Sequence, residues 1–260
     1  MKKRTGNHST KGKKRLRLWV LLAALFLTGC GNSAASTDQT EETEVRTTAE
    51  ATETLSDLTA AKTGSLITFG HYEQDNDTSN GKEPIEWIVL EKREDGSLLV
   101  MSRYALDVQP YHIERKSVSW MTCTLREWLN GSFMNTAFST DELAVISTDN
   151  SSNAEYASYG ADAEDRVFLF SKFEVREYFA DDADGDSVAR ACKPTAYAKA
   201  QGIWTFEGGA LDGNCRWWLR SLGDDTTNAA YVGFNGRVYD LGCMVNRDNL
   251  GIRPALVIKP

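Results

Sequence analysis

Histidine is nearly missing from this chain. Three occur in 260 residues. His8 sits in a basic leader, so only His71 and His112 remain, far apart in sequence. Two such residues do not make a metal set or a proton relay. There is no His-Glu-x-x-His run, no Gly-x-Ser-x-Gly elbow and no phosphate-cradling glycine loop. The usual signatures of zinc hydrolases, serine hydrolases and nucleotide-binding enzymes are therefore absent. No apolar run reaches the ~20 residues that a permanent membrane helix needs. Beyond the leader the chain is strongly acidic, which argues against nucleic acid as a partner, since phosphates are met by Lys and Arg clusters.

What is present begins with that leader. Lys2, Lys3, Arg4, Lys11, Lys13, Lys14, Arg15 and Arg17 contain no acid among them. The stretch 18–27 is almost wholly apolar, and Leu27-Thr28-Gly29-Cys30 closes it. A short apolar core behind a basic flank fits a signal peptide whose flank stays cytoplasmic. The closing tetrad resembles the lipobox of bacterial lipoproteins. The resemblance implies a signal peptide over 1–29, cleavage before Cys30 and a diacylglyceryl group on its thiol. Two acyl chains suffice for stable attachment where one is marginal. The expected location is the extracytoplasmic face of the cell membrane, with the lipid bilayer as the first partner. Losing the eight leading basic residues takes the formal net charge from −8 to −16.

Residues 31–63 are rich in Ser, Thr, Glu and Ala and hold no aromatic. Such a segment buries too little apolar surface to offset chain entropy. It is expected to be a disordered tether, 30–63 with the lipidated cysteine, with short helical turns allowed around Leu55 and Leu58. From Gly64 onward Trp, Phe, Tyr, Ile and Leu recur up to Pro260, enough for one domain over 64–260.

Within that domain Ile67-Thr68-Phe69 predicts a short strand, and 85–90 a buried one. Asp95-Gly96 predicts a two-residue turn with positive φ at both positions, returning as a strand over 98–101. The middle is expected to be helical. Thr124 with Glu127, Ser139 with Glu142 and Ser171 with Glu174 have capping-box spacing. Apolar residues follow at helical spacing: Leu125, Trp128 and Leu129, then Leu143 and Ile146, then Val175, Tyr178 and Phe179. Gly131 is expected to end the first helix. A strand over 167–170 feeds the third, and a fourth helix starts near Pro194 and ends at Gly202 with Tyr197 inward. Strands then follow over 217–220, 229–234, 237–240 and 253–258, with Asn235-Gly236 as the strongest hairpin signal. Sheet, helices, sheet indicates α+β.

These residues also carry a resemblance. The chain from about Leu66 resembles a family of uncharacterised exported bacterial domains, a domain-of-unknown-function family common in Firmicutes. It rests on Ile67-Thr68-Phe69-Gly70 with Tyr72 and Gln74, Glu86-Trp87, the run Thr124 to Asn130, and Ala137-Phe138. Further pieces are Val167 to Ser171, Thr195 to Ala198, Trp217 to Ser221, Ala229 to Val232, Gly236 to Val238 and Gly251 to Ala255. The C-terminal block is also similar to C-type-lectin-like and formylglycine-generating-enzyme-like folds. That likeness implies a twisted antiparallel sheet with short helices inserted, whose loops present a ligand surface. Leu222 departs from the proline expected after Arg220-Ser221.

Candidate chemistry is sparse. Cys123, Cys192, Cys215 and Cys243 remain besides Cys30. Four cysteines outside the cytosol allow three pairings. Cys192 with Cys215 is the first choice, because each precedes a family-typical block and a bridge would staple the loop between. Free buried thiols are the equal alternative. A copper-binding thiol pair, implied by the formylglycine-generating likeness, lacks its spacing here. Asp182, Asp184 and Asp186 beside Gly185 could ligate Ca2+, but the loop departs from an EF-hand and a solvated acidic loop is favoured. Trp87, Trp128, Trp217, Trp218, Arg220 and Arg253 are expected in the core. A buried guanidinium must be paired or bonded to carbonyls, so a bridge between strands and loops is favoured over a ligand clamp for the two arginines. Asp224, Asp225, Asn228, Asn235, Tyr239, Asp240, Asn246, Asp248 and Asn249 suit hydrogen bonding to sugar hydroxyls beside stacking rings. The function expected is a binding module for a glycan or surface protein, with no catalysis. An oxidative enzyme of formylglycine-generating type and a structural envelope protein are the alternatives.

Overall fold

The structure is a computed structural model that describes residues 57–151, 163–181 and 185–260. Cys30, the signal segment, most of the tether, Asp182 and Asp184 lie outside the described residues. In chain order the strands are β1 (Leu66–Tyr72), β2 (Glu83–Lys92), β3 (Leu98–Ser102), β4 (Asp107–Val108), β5 (Ile146–Ser147), β6 (Asp149–Ser151), β7 (Ala163–Asp165), β8 (Val167–Phe168), β9 (Trp217–Leu222), β10 (Asn228–Val232), β11 (Val238–Met244), β12 (Gly251–Ile252) and β13 (Ala255–Ile258). The fold is α+β. One antiparallel sheet runs β1-β2-β3-β13-β5, with β8 also on β13, and the other runs β11-β10-β9-β12-β4. β6 and β7 pair separately.

Apolar runs explain the central strands. Every residue of β3, β9 and β13 is buried, as expected for strands covered on both faces. The core begins earlier than Gly64. Residues 57–60 are helical, and Leu58 and Ala61 pack into it.

The C-terminal run was expected as one strand over 253–258, but it is two. Gly251-Ile252 belongs to the second sheet and Ala255 to Ile258 to the first. Pro254 has no amide hydrogen to offer a ladder, so the chain changes sheets at Arg253-Pro254. That crossing ties the two sheets together, and Arg253 sits in it.

Both hairpin turns are also longer than expected. Arg93 N donates to Ser97 O (2.8 Å) and Gly96 N to Arg93 O (3.0 Å). Gly233 N donates to Arg237 O (2.8 Å) and Gly236 N to Gly233 O (2.9 Å). Only the glycine of each pair has positive φ. These are three-residue loops closed by a left-handed glycine, in place of two-residue turns. Gly236 is required for a second reason: a Cβ there would collide with Ser187 O.

Three helix expectations change. Cys123, not Thr124, caps the helix Thr124–Trp128, its thiol accepting from Arg126 N (3.4 Å). Gly131 does not end it. The chain continues through a π-type turn, Leu129–Phe133, into Met134–Ala137. Burial of Leu129 and Phe133 outweighs glycine's cost of ~1 kcal/mol. The boxes at Ser139–Glu142 and Ser171–Glu174 both form. Ile146, expected on the helix, enters β5 instead. The fourth helix is Ala196–Ala200, capped by the Thr195 hydroxyl. Tyr197 is half-buried, edge-on to Tyr72 at 5.9 Å.

Candidate functional site

The polar loop residues expected to hold a ligand fall into separate groups. Asp224, Asp225 and Asn228 lie where β9 turns into β10, and the Asn228 end of that strand faces Met244. Asn246 and Asp248 follow in the exposed turn after β11. Asn235 sits in the hairpin tip at the opposite end of β10. Much of their bonding is local. Asp225 accepts from Thr227 N (2.6 Å) and Oγ1 (2.7 Å), and these bonds pull its pKa down. Asn228 Nδ2 donates to Asp224 Oδ1 (2.8 Å). Asp240 makes a two-pronged pair with Arg176.

Tyr239 belongs to something larger. Its ring stacks on its cross-strand neighbour Tyr231, centroids 4.7 Å apart and planes 3° off parallel. The Arg216 guanidinium lies 6.0 Å from the Tyr231 ring and 4.2 Å from that of Trp204. Trp204 meets Phe234 at 5.8 Å, and Phe234 stacks on Phe206 at 4.2 Å. This is a continuous ladder of five rings and one guanidinium, with every member half-buried or exposed. Asn214 Nδ2 holds the Phe234 carbonyl (3.0 Å), and Trp204 N donates to Asn249 O (3.0 Å). Burial raises the Tyr231 pKa, Cys243 and Tyr239 add to the rise, and the Arg216 and Arg247 charges oppose it. Of these rings only Tyr239 was singled out in sequence.

Behind the ladder lies a staple that sequence did not signal. Arg190 is fully buried. Its Nε donates to Gly236 O (2.7 Å), Nη1 to Phe179 O (2.8 Å) and Nη2 to Gly185 O (3.3 Å). It also pairs with Asp181. Asp186, the described member of the calcium candidates, accepts from Asn235 Nδ2 (2.8 Å) and pairs with Arg237 (2.9 Å). These two flanking carboxylates of the acidic loop anchor the hairpin tip.

Arg220 and Arg253 are buried and bonded to carbonyls. Arg220 Nη1 reaches Leu169 O (2.8 Å) and Glu174. Arg253 Nε reaches Ser102 O (2.8 Å) and Nη1 reaches Arg190 O (3.4 Å). Trp87, Trp217 and Trp218 are fully buried with their indole N–H groups donating to carbonyls, whereas Trp128 is half-buried at 5.3 Å from Phe133.

Other polar clusters bond largely within themselves, although Glu73 Oε1 and His112 Nε2 are buried with no hydrogen-bond partner among the described residues. A cleft of about 650 Å³ is lined by Arg126, Glu127, Asn130, Glu164, Asp165 and Arg166. Its buried carboxylate, Asp165, accepts from Trp120 Nε1 (2.8 Å), Arg126 Nε (2.7 Å) and Asn130 Nδ2 (3.4 Å), so it positions the helix more than it serves as a base. Tyr72 donates to Asp107, joining β1 to β4 across the sheets. Burial raises both pKa values, and the Asp107 charge raises that of Tyr72 further. His71 is exposed. His112 is buried, its Nδ1 accepting from Thr124 N (3.2 Å), and burial pushes its pKa down. Among the described residues Glu73, Asp75 and Glu83 could hold a cation. Loop amides already bond Glu83, at 2.6 Å from Gln74 N and 3.2 Å from Asp75 N.

The family model described as a domain of unknown function, DUF6273, matches residues 95–260. The chain belongs to that family. The match takes in β3 through β13, and with them the ladder, the buried arginines and all four cysteines after Cys30. It starts in the β2–β3 turn, so β1 and β2 precede it although they complete the first sheet. No curated protein and no solved structure matches the chain.

Proposed function

We propose that this protein is a lipid-anchored binding module of the extracytoplasmic membrane face, and that the Tyr239–Tyr231–Arg216–Trp204 ladder is where it docks an envelope glycan. The ladder is the observation that carries the reading. Half-exposed rings offer apolar faces to the C–H faces of sugars, and the polar tips of Tyr and Trp can bond hydroxyls. Arg216 within the ladder, with the charge of Arg247 also felt at Tyr231, suits a carboxylate or phosphate substituent. The scaffold is read as C-type-lectin-like, supported by a Trp-rich strand, a glycine-closed hairpin and a closing Gly-x-Arg segment. No helix among the described residues is long and apolar enough to cross a membrane, and the proposed anchor at Cys30 needs none.

The test uses the full-length protein purified from membranes in detergent and applied to a glycan array that includes acidic glycans. Tyr239→Ala and Trp204→Ala should each weaken binding about tenfold, a stacking contact being worth roughly 1 kcal/mol or more. Asp225→Ala should bind as the parent does. Unchanged binding in both aromatic variants would remove the ladder from the site. For the anchor, Cys30→Ala should stay uncleaved and take up no labelled fatty acid. Equal labelling of that variant would overturn the lipid assignment.

A further inference from the structure

Cys192 and Cys215 are both buried and lie directly opposite each other in an antiparallel bridge, with Cys215 N donating to Cys192 O (2.8 Å). Residues opposed in this way have Cα atoms about 4.5–5.5 Å apart and side chains on one face. A disulfide needs Cα atoms about 4.4–6.8 Å apart, so the register meets the requirement without backbone movement. The structure holds all four described cysteines as free thiols, and the thiols of this pair are within hydrogen-bonding reach of each other. Neither of the other two is so placed. Cys123 caps a helix, and Cys243 faces Ala229 across its ladder.

We propose that Cys192 and Cys215 are an oxidisable pair that closes into a disulfide by exchange with an external disulfide, locking the segment 193–214 onto the second sheet. That segment carries Trp204 and Phe206, two rings of the ladder, and Cys215 also bridges Thr205 beside them. One thiolate attacks the external R–S–S–R and expels RS−. The second thiol gives up its proton and attacks the first cysteine's sulfur in that mixed disulfide, expelling the other RS−. The protein loses two protons and two electrons, and the external disulfide leaves as two RSH. Burial of both sulfurs places the exchange before the segment has closed over them.

In the closed structure the local charge favours a thiolate at Cys192. Burial pushes the Cys192 thiol up, but the hydrogen bond with Cys215 and the Arg253 guanidinium outweigh it and bring it below its ordinary value. The thiolate is the attacking species. Arg253 also bonds Ser102 O and Arg190 O, so the cation beside the pair is fixed by the sheet crossing.

The test is independent of any ligand. The full-length chain is reduced, unfolded and refolded with glutathione disulfide, then denatured, alkylated and mapped by mass spectrometry. A linked peptide joining Cys192 to Cys215 is expected, with Cys123 and Cys243 alkylated. Alkylation of both partners, a lasting glutathione adduct on either, or linkage to another cysteine would overturn the proposal. Reductant should lower the melting temperature of the oxidised protein by about 5–10 °C, given the length of chain enclosed, and leave the Cys192→Ala/Cys215→Ala variant unmoved. A wild-type melting temperature indifferent to reductant is equally decisive against the proposal, and the peptide map stands even if that variant fails to fold.

Discussion

Arg253 and Arg216 both lie over a tryptophan, and they do opposite work. The Arg253 guanidinium is 5.1 Å from the Trp217 ring, and that of Arg216 is 4.2 Å from the Trp204 ring. Arg253 is 2% exposed and spends its donors on Ser102 O and Arg190 O. Arg216 is half-buried, and its side-chain contacts among the described residues are with rings. The difference is one of desolvation. A guanidinium stripped of water must find carbonyls or carboxylates, and in doing so it becomes a strut. One that keeps part of its hydration can rest on aromatic faces and stay available. The sheet crossing is therefore a strut, and the ladder keeps its faces partly in solvent.

The most severe way to test this contrast is Arg253→Met. It takes the guanidinium donor from Ser102 O, leaves Arg190 O with the Trp217 indole N–H, and removes the cation beside the Cys192–Cys215 pair. A loss of about 3–5 kcal/mol is expected in denaturant titration. Arg253→Lys should remain impaired, because one ammonium cannot span the same two carbonyls. Arg216→Ala removes a half-exposed cation–π contact and should cost about 1 kcal/mol or less, while weakening glycan binding more than it weakens the fold. If the two arginines proved equally costly to stability, the contrast between strut and platform would fail.

What was legible in sequence follows the range of the forces involved. β2 and β3 were read from apolar runs, and the boxes at Ser139 and Ser171 from a spacing of three, because those signals are local. The box at Thr124 was misplaced by one position because the Cys123 thiol does the capping, a role its residue type does not advertise. The single C-terminal strand had to split because its two halves pair with strands far apart in the chain. Arg190 gave no local sign, since its four partners come from 179, 181, 185 and 236. The ladder was illegible for the same reason. Its rings arrive from three separate stretches of chain, and only their stacking makes them a site. Tyr239 was reached through its polar neighbours, several of which bond within their own turns.

The smallest expected effect concerns a third kind of arginine, exposed and matched to a carboxylate. Arg176 meets Asp240 through Nη1–Oδ1 at 3.0 Å and Nη2–Oδ2 at 2.7 Å, with side chains 33% and 46% exposed. The Arg176 hydrogen bonds hold the Asp240 pKa below its usual value, against partial burial that raises it. A depressed carboxylate contributes its stabilisation in full above the unfolded value of about 3.9, and loses it as pH falls through the lower folded value. The contribution of this pair should thus stay constant from pH 7 to about 5. The difference between wild type and Asp240→Asn should be under about 1 kcal/mol there and shrink towards zero below about pH 4. Salt at 1 M should shrink it at neutral pH as well, since the pair is exposed to screening. Urea midpoints of both proteins across the acid limb, with and without salt, measure this directly. A difference that persists undiminished at pH 3 would place Arg176 with the buried struts instead of among the surface ion pairs.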